Sequence, residues 1–271
     1  MKLNGLTDRL LALLNKDAAR IKDQEARRDF LGQRARAENY WTFEHVRDGA
    51  VIGVYQFENL VTTVGLNALL DNTFSAAAGS TAWYVGLVGA GAGTVAINSA
   101  AAAVTGTSTT FTSALAASPI ADIIIVGAGA AGADLTQTVA TYTSATSITL
   151  SGNASTTVTG ASYACETVAA DTLASHGTFW TETAPYSNGT RPAWTKNGSA
   201  SGGANSNSSS KASFSVNASG RVFGGFMASD STKSGTTGTL YGMGLFTSSG
   251  SRSVISGDTL NVQVDLTVTA S

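Results

Sequence analysis

The decapeptide Ile123 to Gly132, IIIVGAGAAG, has the residue types and spacing that speak most directly of chemistry. A buried strand running into G-x-G-x-x-G opens dinucleotide-binding folds. There the glycines let the chain turn sharply into a helix whose N-terminal N–H groups hold a pyrophosphate. That chemistry needs a helix after Gly132 and an acidic residue about 20 positions further on for the ribose hydroxyls. Neither follows. From Thr136 to Ser162, 14 of 27 residues are Ser or Thr, types that lose rotamer freedom in a helix or compete for its hydrogen bonds, and Thr suits strands. Leu135, Gln137, Val139 and Thr141 alternate with Thr136, Thr138, Ala140 and Tyr142, and no Asp or Glu occurs between Asp134 and Glu166. The decapeptide therefore reads as a buried strand, a Gly/Ala turn and a second strand, with no nucleotide cofactor.

The remaining candidates for catalysis are sparse. His45 and His176 are the only histidines. His176 could act as a base, yet no Ser in a G-x-S-x-G elbow and no Cys stands out as its nucleophile, and a satisfied loop histidine is the plainer reading. Cys165 ends an apolar strand and reads as a buried, inert thiol. As the single cysteine it excludes an internal disulfide, and no Cys/His cluster has metal-ligand spacing. Glu182 and Asp171 could be offered as a glycosidase pair, but nothing in the sequence brings them together. No P-loop, EF-hand or H-E-x-x-H motif is present. Trp180, Tyr186 and Trp194 allow one sharper idea, stacking on sugar rings, against the simpler reading that they fill a core or a subunit interface. The chain reads as non-enzymatic, with no cofactor and no metal.

The elements that would position these groups fall into three materials. Leu6, Leu10, Leu13, Leu14, Ile21 and Leu31 lie within an arc of about 100° at helical spacing, the stripe of an amphipathic helix expected from about Leu6 to Ala37. From Ala50 the period becomes two. AVIGVYQFENL reads as a strand, VTTVGLNALLDNTF as a short helix ending near Asn72, and TAWYVGLVGAG as another strand. Strands are expected again in KASFSVN, GRVFGGFMAS, GTLYGMGLFTS and GDTLNVQVDLTVTAS. The last of these sets Leu260, Val262, Val264, Leu266 and Val268 on one face, while Asn197 to Lys211 reads as a polar loop. Glycines 224, 225, 242 and 244 sit where strands bulge, bend or approach another backbone. Between them lies an Ala/Thr/Gly-rich stretch with five candidate strands, Ala103 to Thr112, Ile120 to Val126, Leu135 to Tyr142, Ala145 to Leu150 and Thr156 to Cys165.

The expected fold is all-β, a jelly-roll-like β-sandwich with an inserted small β-sandwich domain and an N-terminal amphipathic α-helical arm. The domains are a helical arm over 1–48, a discontinuous sandwich over 49–91 and 166–271, and the insert over 92–165. Ten of the 16 Lys and Arg lie in the first 47 residues and none between Arg47 and Arg191. Acids are mixed among the bases of the arm, so a solvated face on a docked helix fits it better than nucleic-acid binding. No signal peptide and no membrane span is read from the sequence. Five N-x-S/T sequons, beginning at Asn153, Asn188, Asn197, Asn207 and Asn217, are a by-product of polar loops.

ENLVTTVGLNALLD, WYVGLV, DTLASHGTFWTETAPYSNGTRPAWT, the F-x-V-N-x-x-G-x-V-x-G-x-F run from Phe214 to Phe226 and the closing SGDTLNVQVDLTVT together carry a resemblance. Over Glu58 to Val88 and Asp171 to Thr269 the chain resembles small virion proteins of tailed bacteriophages, of the capsid decoration (cement) type. Val104 to Tyr163 is similar to a β module of phage tail fibres and tailspikes. The resemblance implies a virion protein, assembled in the host bacterial cytoplasm, that binds the major capsid protein or another virion protein. It further implies self-association as a homotrimer that bridges capsomers, without catalytic residues. In that picture Leu6, Leu10, Leu13, Leu14, Ile21, Leu31, Trp180, Tyr186 and Trp194 make capsid or subunit contacts. The alternative is a tail or head fibre that binds a host glycan, with Trp180 and Trp194 as platforms.

Overall fold

The computed structural model describes residues 35–74, 82–117, 120–175 and 178–270, and the architecture they form is an all-β, jelly-roll-like sandwich of curled antiparallel sheets. The apolar stripe Leu6, Leu10, Leu13, Leu14, Ile21 and Leu31, and His176, lie outside the described residues.

Strand β1 (Ala35–Arg47) corrects two expectations, a helix continuing to Ala37 and a helical arm extending to residue 48. Its alternation explains the change. Asn39, Trp41, Phe43 and His45 are buried, while Tyr40, Thr42, Glu44 and Val46 face the other way, a two-residue period that only a strand can place on one face. Asp48 and Gly49, at φ 51° and 78°, form a two-residue Asp-Gly turn into β2 (Ala50–Val61). The hairpin pairs Asn39 with Asn59, Trp41 with Phe57 and Phe43 with Tyr55. A short helix, α1 (Thr63–Phe74), follows as expected, with the Thr62 hydroxyl accepting from the Gly65 N–H at 3.1 Å at its start.

The larger sheet collects strands from both ends of the chain. After β1 and β2 come β3 (Tyr84–Gly89), β11 (Thr181–Thr183), β12 (Ala204–Ser206), β13 (Ala212–Ser215), β15 (Gly224–Ala228), β16 (Leu240–Leu245) and β18 (Thr259–Ala270). Their order is β11-β3-β15-β16-β2-β1-β18-β12, with β13 also on β18. The segment read as one polar loop, Asn197 to Lys211, contributes the edge strand β12. β14 (Gly220–Val222) and β17 (Arg252–Val254) pair separately. On β18, Leu260, Val262 and Val264 are buried and Leu266 is half-buried, but Val268 is 48% exposed.

The smaller sheet is built from contiguous sequence, and its strands pair only with one another. It comprises β4 (Thr94–Ile97), β5 (Ala103–Thr107), β6 (Asp122–Ile125), β7 (Leu135–Ser144), β8 (Ser147–Leu150), β9 (Val158–Ala161) and β10 (Tyr163–Cys165), in the order β10-β6-β7-β8-β5-β4-β9. The single strand expected over Thr156 to Cys165 is thus two, separated by Ser162 alone and lying at opposite ends of the order. One residue therefore joins the two edges, so the sheet must curl on itself. The Val126 N–H donates to the Ser162 carbonyl at 3.0 Å across that junction.

Residues 37–267 form one compact unit with two apolar clusters. One runs from Ile123, Ile124, Val139 and Ile148 of the smaller sheet into Trp180, just before β11, and Phe226 and Leu245 of the larger. The other stacks Trp41 on Phe57 with centroids 5.7 Å apart and sets Phe246 edge-on to Phe43 at 5.1 Å. Fully burying each such aromatic contributes about 1.5–3 kcal/mol, so these rings fix how the hairpin lies on the sandwich. Gly224 meets the expectation of close backbone approach: a Cβ there would overlap the Gly244 carbonyl oxygen across β15 and β16.

Candidate functional site

The glycine-rich decapeptide turns β6 back into β7 as an antiparallel pair, with Ile125 opposite Leu135. Between them is one short 3-10 turn, Ala130–Gly132, and Gly127, Ala131 and Gly132 have positive φ. Two of the loop's glycine donors are used within the chain. Gly129 N–H donates to the Ala133 carbonyl at 2.7 Å and Gly127 N–H to Asp134 Oδ1 at 3.2 Å. Asp134 also accepts from the Ser251 backbone N–H at 2.7 Å and from its hydroxyl. A carboxylate thus occupies the mouth of the turn, where a pyrophosphate would be repelled. The loop fastens the smaller sheet to the segment before β17.

The other chemical candidates are each engaged elsewhere. Cys165 is fully buried, and burial pushes its thiol up, out of the thiolate range. Asp171 accepts from the Thr167 hydroxyl at 2.6 Å and the Val168 N–H at 2.9 Å. Glu182, considered with it as a catalytic pair, is paired instead with Arg191, whose Nη2 lies 2.7 Å from Oε2. Neither side chain of that ion pair is exposed to solvent. His45 Nε2 sits 2.8 Å from Asp258 Oδ2, and Arg47 donates to both oxygens of the same carboxylate at 2.7 and 2.9 Å. The Arg47 hydrogen bond above all, with others from the Ile255 N–H and His45, holds Asp258 well below the usual carboxylate range.

Two of the three aromatic residues expected at a contact surface, Trp180 and Tyr186, lie in the interior instead. Trp180 is wholly buried, packed on Phe226 at 5.2 Å, and Tyr186 is 1% exposed, edge-on to Phe214 at 4.9 Å with Lys233 Nζ 4.4 Å over its ring. Neither ring is available to a sugar or to a partner. Trp194 is half-buried, its Nε1 donating to the Val264 carbonyl at 3.0 Å. The segment that carries them lies beside β3, where Val85 N–H donates to the Pro192 carbonyl at 2.9 Å.

Among the described residues the β1–β2 hairpin carries the longest run of exposed apolar side chains on one strand, a surface that sequence reasoning passed over. Val51, Ile52 and Val54 are 50–56% exposed and Tyr40 is 40% exposed. β16 pairs with β2 only through Gly242 opposite Val61 and Met243 opposite Leu60. From Ala50 to Asn59 that edge of β2 has no strand partner among the described residues. Where β2 leaves β16, a cleft of about 460 Å³ opens, lined by Glu58, Asn59, Asp122, Glu166 and Thr247. Burial, with the nearby Asp122 carboxylate, pushes Glu166 up to about 8, and burial raises Asp122 as well. The signal available in the sequence was the uncharged run from Ala50 to Phe57 after an Asp-Gly turn.

Among the described residues no group of three or more His, Cys, Asp or Glu is placed to hold a metal ion, and no helix is long and apolar enough to cross a membrane. Comparison with known proteins finds no matching family model, no matching curated relative and no matching solved structure.

Proposed function

We propose that the protein is a structural component of a tailed-phage virion, a capsid decoration (cement) protein that binds the head shell, bridges capsomers and acts as a homotrimer. The observation that carries the reading is the hairpin. Val51, Ile52 and Val54 stand in water on a strand whose free edge carries no charge from Ala50 to Phe57. Free edges invite strand pairing, and soluble proteins normally blunt them with charge, proline or a bulge. An edge left apolar is a contact surface. The quoted motifs around Trp83 to Val88 and Phe214 to Phe226 support the same reading. So does the use of Glu182, Arg191, Asp258 and His45 as internal ties rather than as a convergent polar site. The seven-stranded sheet is the part that projects outward from the shell. The alternative, a fibre that binds a host glycan, draws no support from the interior positions of Trp180 and Tyr186.

The test is stoichiometric binding to undecorated shells. Full-length protein saturates them, and a chain lacking residues 1–34, which stops short of β1, loses occupancy. No binding by the full-length chain, or unchanged occupancy by the shortened one, rejects the corresponding part of the proposal.

A further inference from the structure

The outward face of the β1–β2 hairpin is apolar near its turn and acidic along its length. On β1 the side chains alternate, Asn39, Trp41, Phe43 and His45 inward and Glu38, Tyr40, Thr42 and Glu44 outward. The register sets Glu58 opposite Tyr40, Val54 opposite Glu44 and Val51 opposite Val46, so these share the outward face. Tyr40, Val51, Ile52 and Val54 are exposed there, with Glu38, Glu44 and Glu58 beside them and Asp48 on the turn. Two basic groups at this hairpin are already engaged within the chain, Lys211 2.5 Å from Glu44 and Arg47 2.7 Å from Asp258. An apolar patch with acids around it fits a partner that is itself apolar and basic.

The chain itself contains a segment of that chemistry. Residues 1–34 hold the stripe Leu6, Leu10, Leu13, Leu14, Ile21 and Leu31 and carry 8 Lys and Arg against 5 Asp and Glu, whereas residues 35–271 carry 8 against 13. The two parts are therefore opposite in charge, and an amphipathic stripe has to bury its apolar side against something. The length also matches. As the helix its spacing predicts, Leu6 to Leu31 spans about 39 Å, and the 13 residues of β1 span about 43 Å. Where the segment ends favours a neighbour's hairpin over its own. It enters β1 at Ala35, at the open end of the hairpin, while Val51 and its partner Val46 adjoin the turn, about 36 Å further along the strand. To cover its own patch the segment must double back from the first residue of β1. Reaching away instead, it meets the patch of the next copy, and head-to-tail contacts of this kind close into a ring in which every arm and every patch is used.

We propose that residues 1–34 of one copy lie across the outward face of the β1–β2 hairpin of the next, the leucine stripe on Val51, Ile52 and Val54 and the basic residues toward Glu44 and Glu58. The inference rests on the self-association proposed above and names the two surfaces that make it.

The experiment uses the full-length chain. Val54→Cys, at an exposed position, is labelled with benzophenone maleimide, while Cys165, fully buried, does not react. The labelled protein is mixed when dilute with parent protein grown on heavy nitrogen, then concentrated, irradiated and digested. The expected cross-links join position 54 to heavy peptides from residues 1–34. Links to light peptides of that segment alone put the arm on its own hairpin, and links to a heavy β2 mean that the edges of two copies pair. Either result overturns the proposal, as does the absence of any link to residues 1–34. A second variant, Leu10→Asp with Leu13→Asp in the full-length chain, sediments as a monomer at concentrations where the parent is a trimer, with its urea midpoint unchanged. A trimer that survives this change, or a parent that never associates, overturns the proposal as well. Shell occupancy is read separately. The expected cross-links in a protein that never occupies shells leave the arm exchange standing and remove the virion reading, whereas occupancy without those links removes the arm exchange alone.

Discussion

Arg191 shows how a residue that looks functional in sequence becomes structural in space. Its Nε and Nη2 donate to Glu182 at 3.1 and 2.7 Å, Nη1 to the Asp230 carbonyl and Nη2 to the Gly235 carbonyl, both at 2.8 Å, and its Cζ lies 5.1 Å from the centroid of the Phe226 ring. Glu182→Ala leaves that guanidinium buried and uncompensated, which costs about 3–5 kcal/mol. Urea unfolding measures it, and a change below 1 kcal/mol would show the pair to be dispensable. Glu166 makes the opposite statement through pH. Its folded value, about 8, lies above the ordinary carboxylate value, so the folded state keeps a proton that the unfolded chain has lost. Its stabilising contribution is complete below the unfolded value and declines as pH rises to about 8. Glu166→Gln therefore stabilises by on the order of 2 kcal/mol at pH 8.5 and changes little at pH 4, as paired thermal melts would record. Asp258 runs the other way: its depressed value means stability present at neutral pH and lost in acid. The sequence offered Glu182 and His45 as bare titratable groups. Their partners, Arg191 nine positions away and Asp258 more than 200 positions away, depend on how the chain returns, which no local pattern encodes.

At the level of elements, alternation was legible wherever one face is buried. KASFSVN and the β18 run carry it plainly, GTLYGMGLFTS is buried on both faces and reads as a continuous apolar run instead, and the Ser/Thr-rich stretch after Gly132 argues against a helix. The pattern failed where it was hidden by neighbours. AENYWTFEHVR alternates just as well, but it follows a charged, helix-periodic stretch and was absorbed into it. The strand over Thr156 to Cys165 was split because Ser162 is a corner between two sheet edges, a tertiary requirement rather than a propensity. Glycines in strands were readable as close approach, and Gly224 gives the sharpest check. Gly224→Ala forces a methyl into the backbone of β16, where nothing flexible can yield. Overpacking of this kind costs about 1–3 kcal/mol or more, which a lowered midpoint in denaturant reports. The same substitution at Gly189, where a Cβ meets nothing, is the control and shifts the midpoint by less than about 0.5 kcal/mol.

For the whole molecule, the deciding feature is a mismatch between a sandwich that satisfies itself and a hairpin that does not. The aromatic rings from Trp41 to Phe246 close the inner face of β1 and β2, while Val51, Ile52 and Val54 stay outside on an edge that has no strand partner among the described residues. If that edge were only a rim, charging it would help solubility and change nothing else. If it is where copies or a shell attach, charge on it destroys attachment and spares the fold, because a lysine on an exposed edge strand is the device by which soluble proteins refuse such pairing. The double substitution Val51→Lys, Val54→Lys separates the two. Its urea midpoint should match the parent to within about 0.5 kcal/mol, as surface changes usually do. In sedimentation velocity across a range of concentrations, the parent should form oligomers and the variant should remain a monomer. Identical sedimentation of the two proteins would remove the hairpin from any account of assembly.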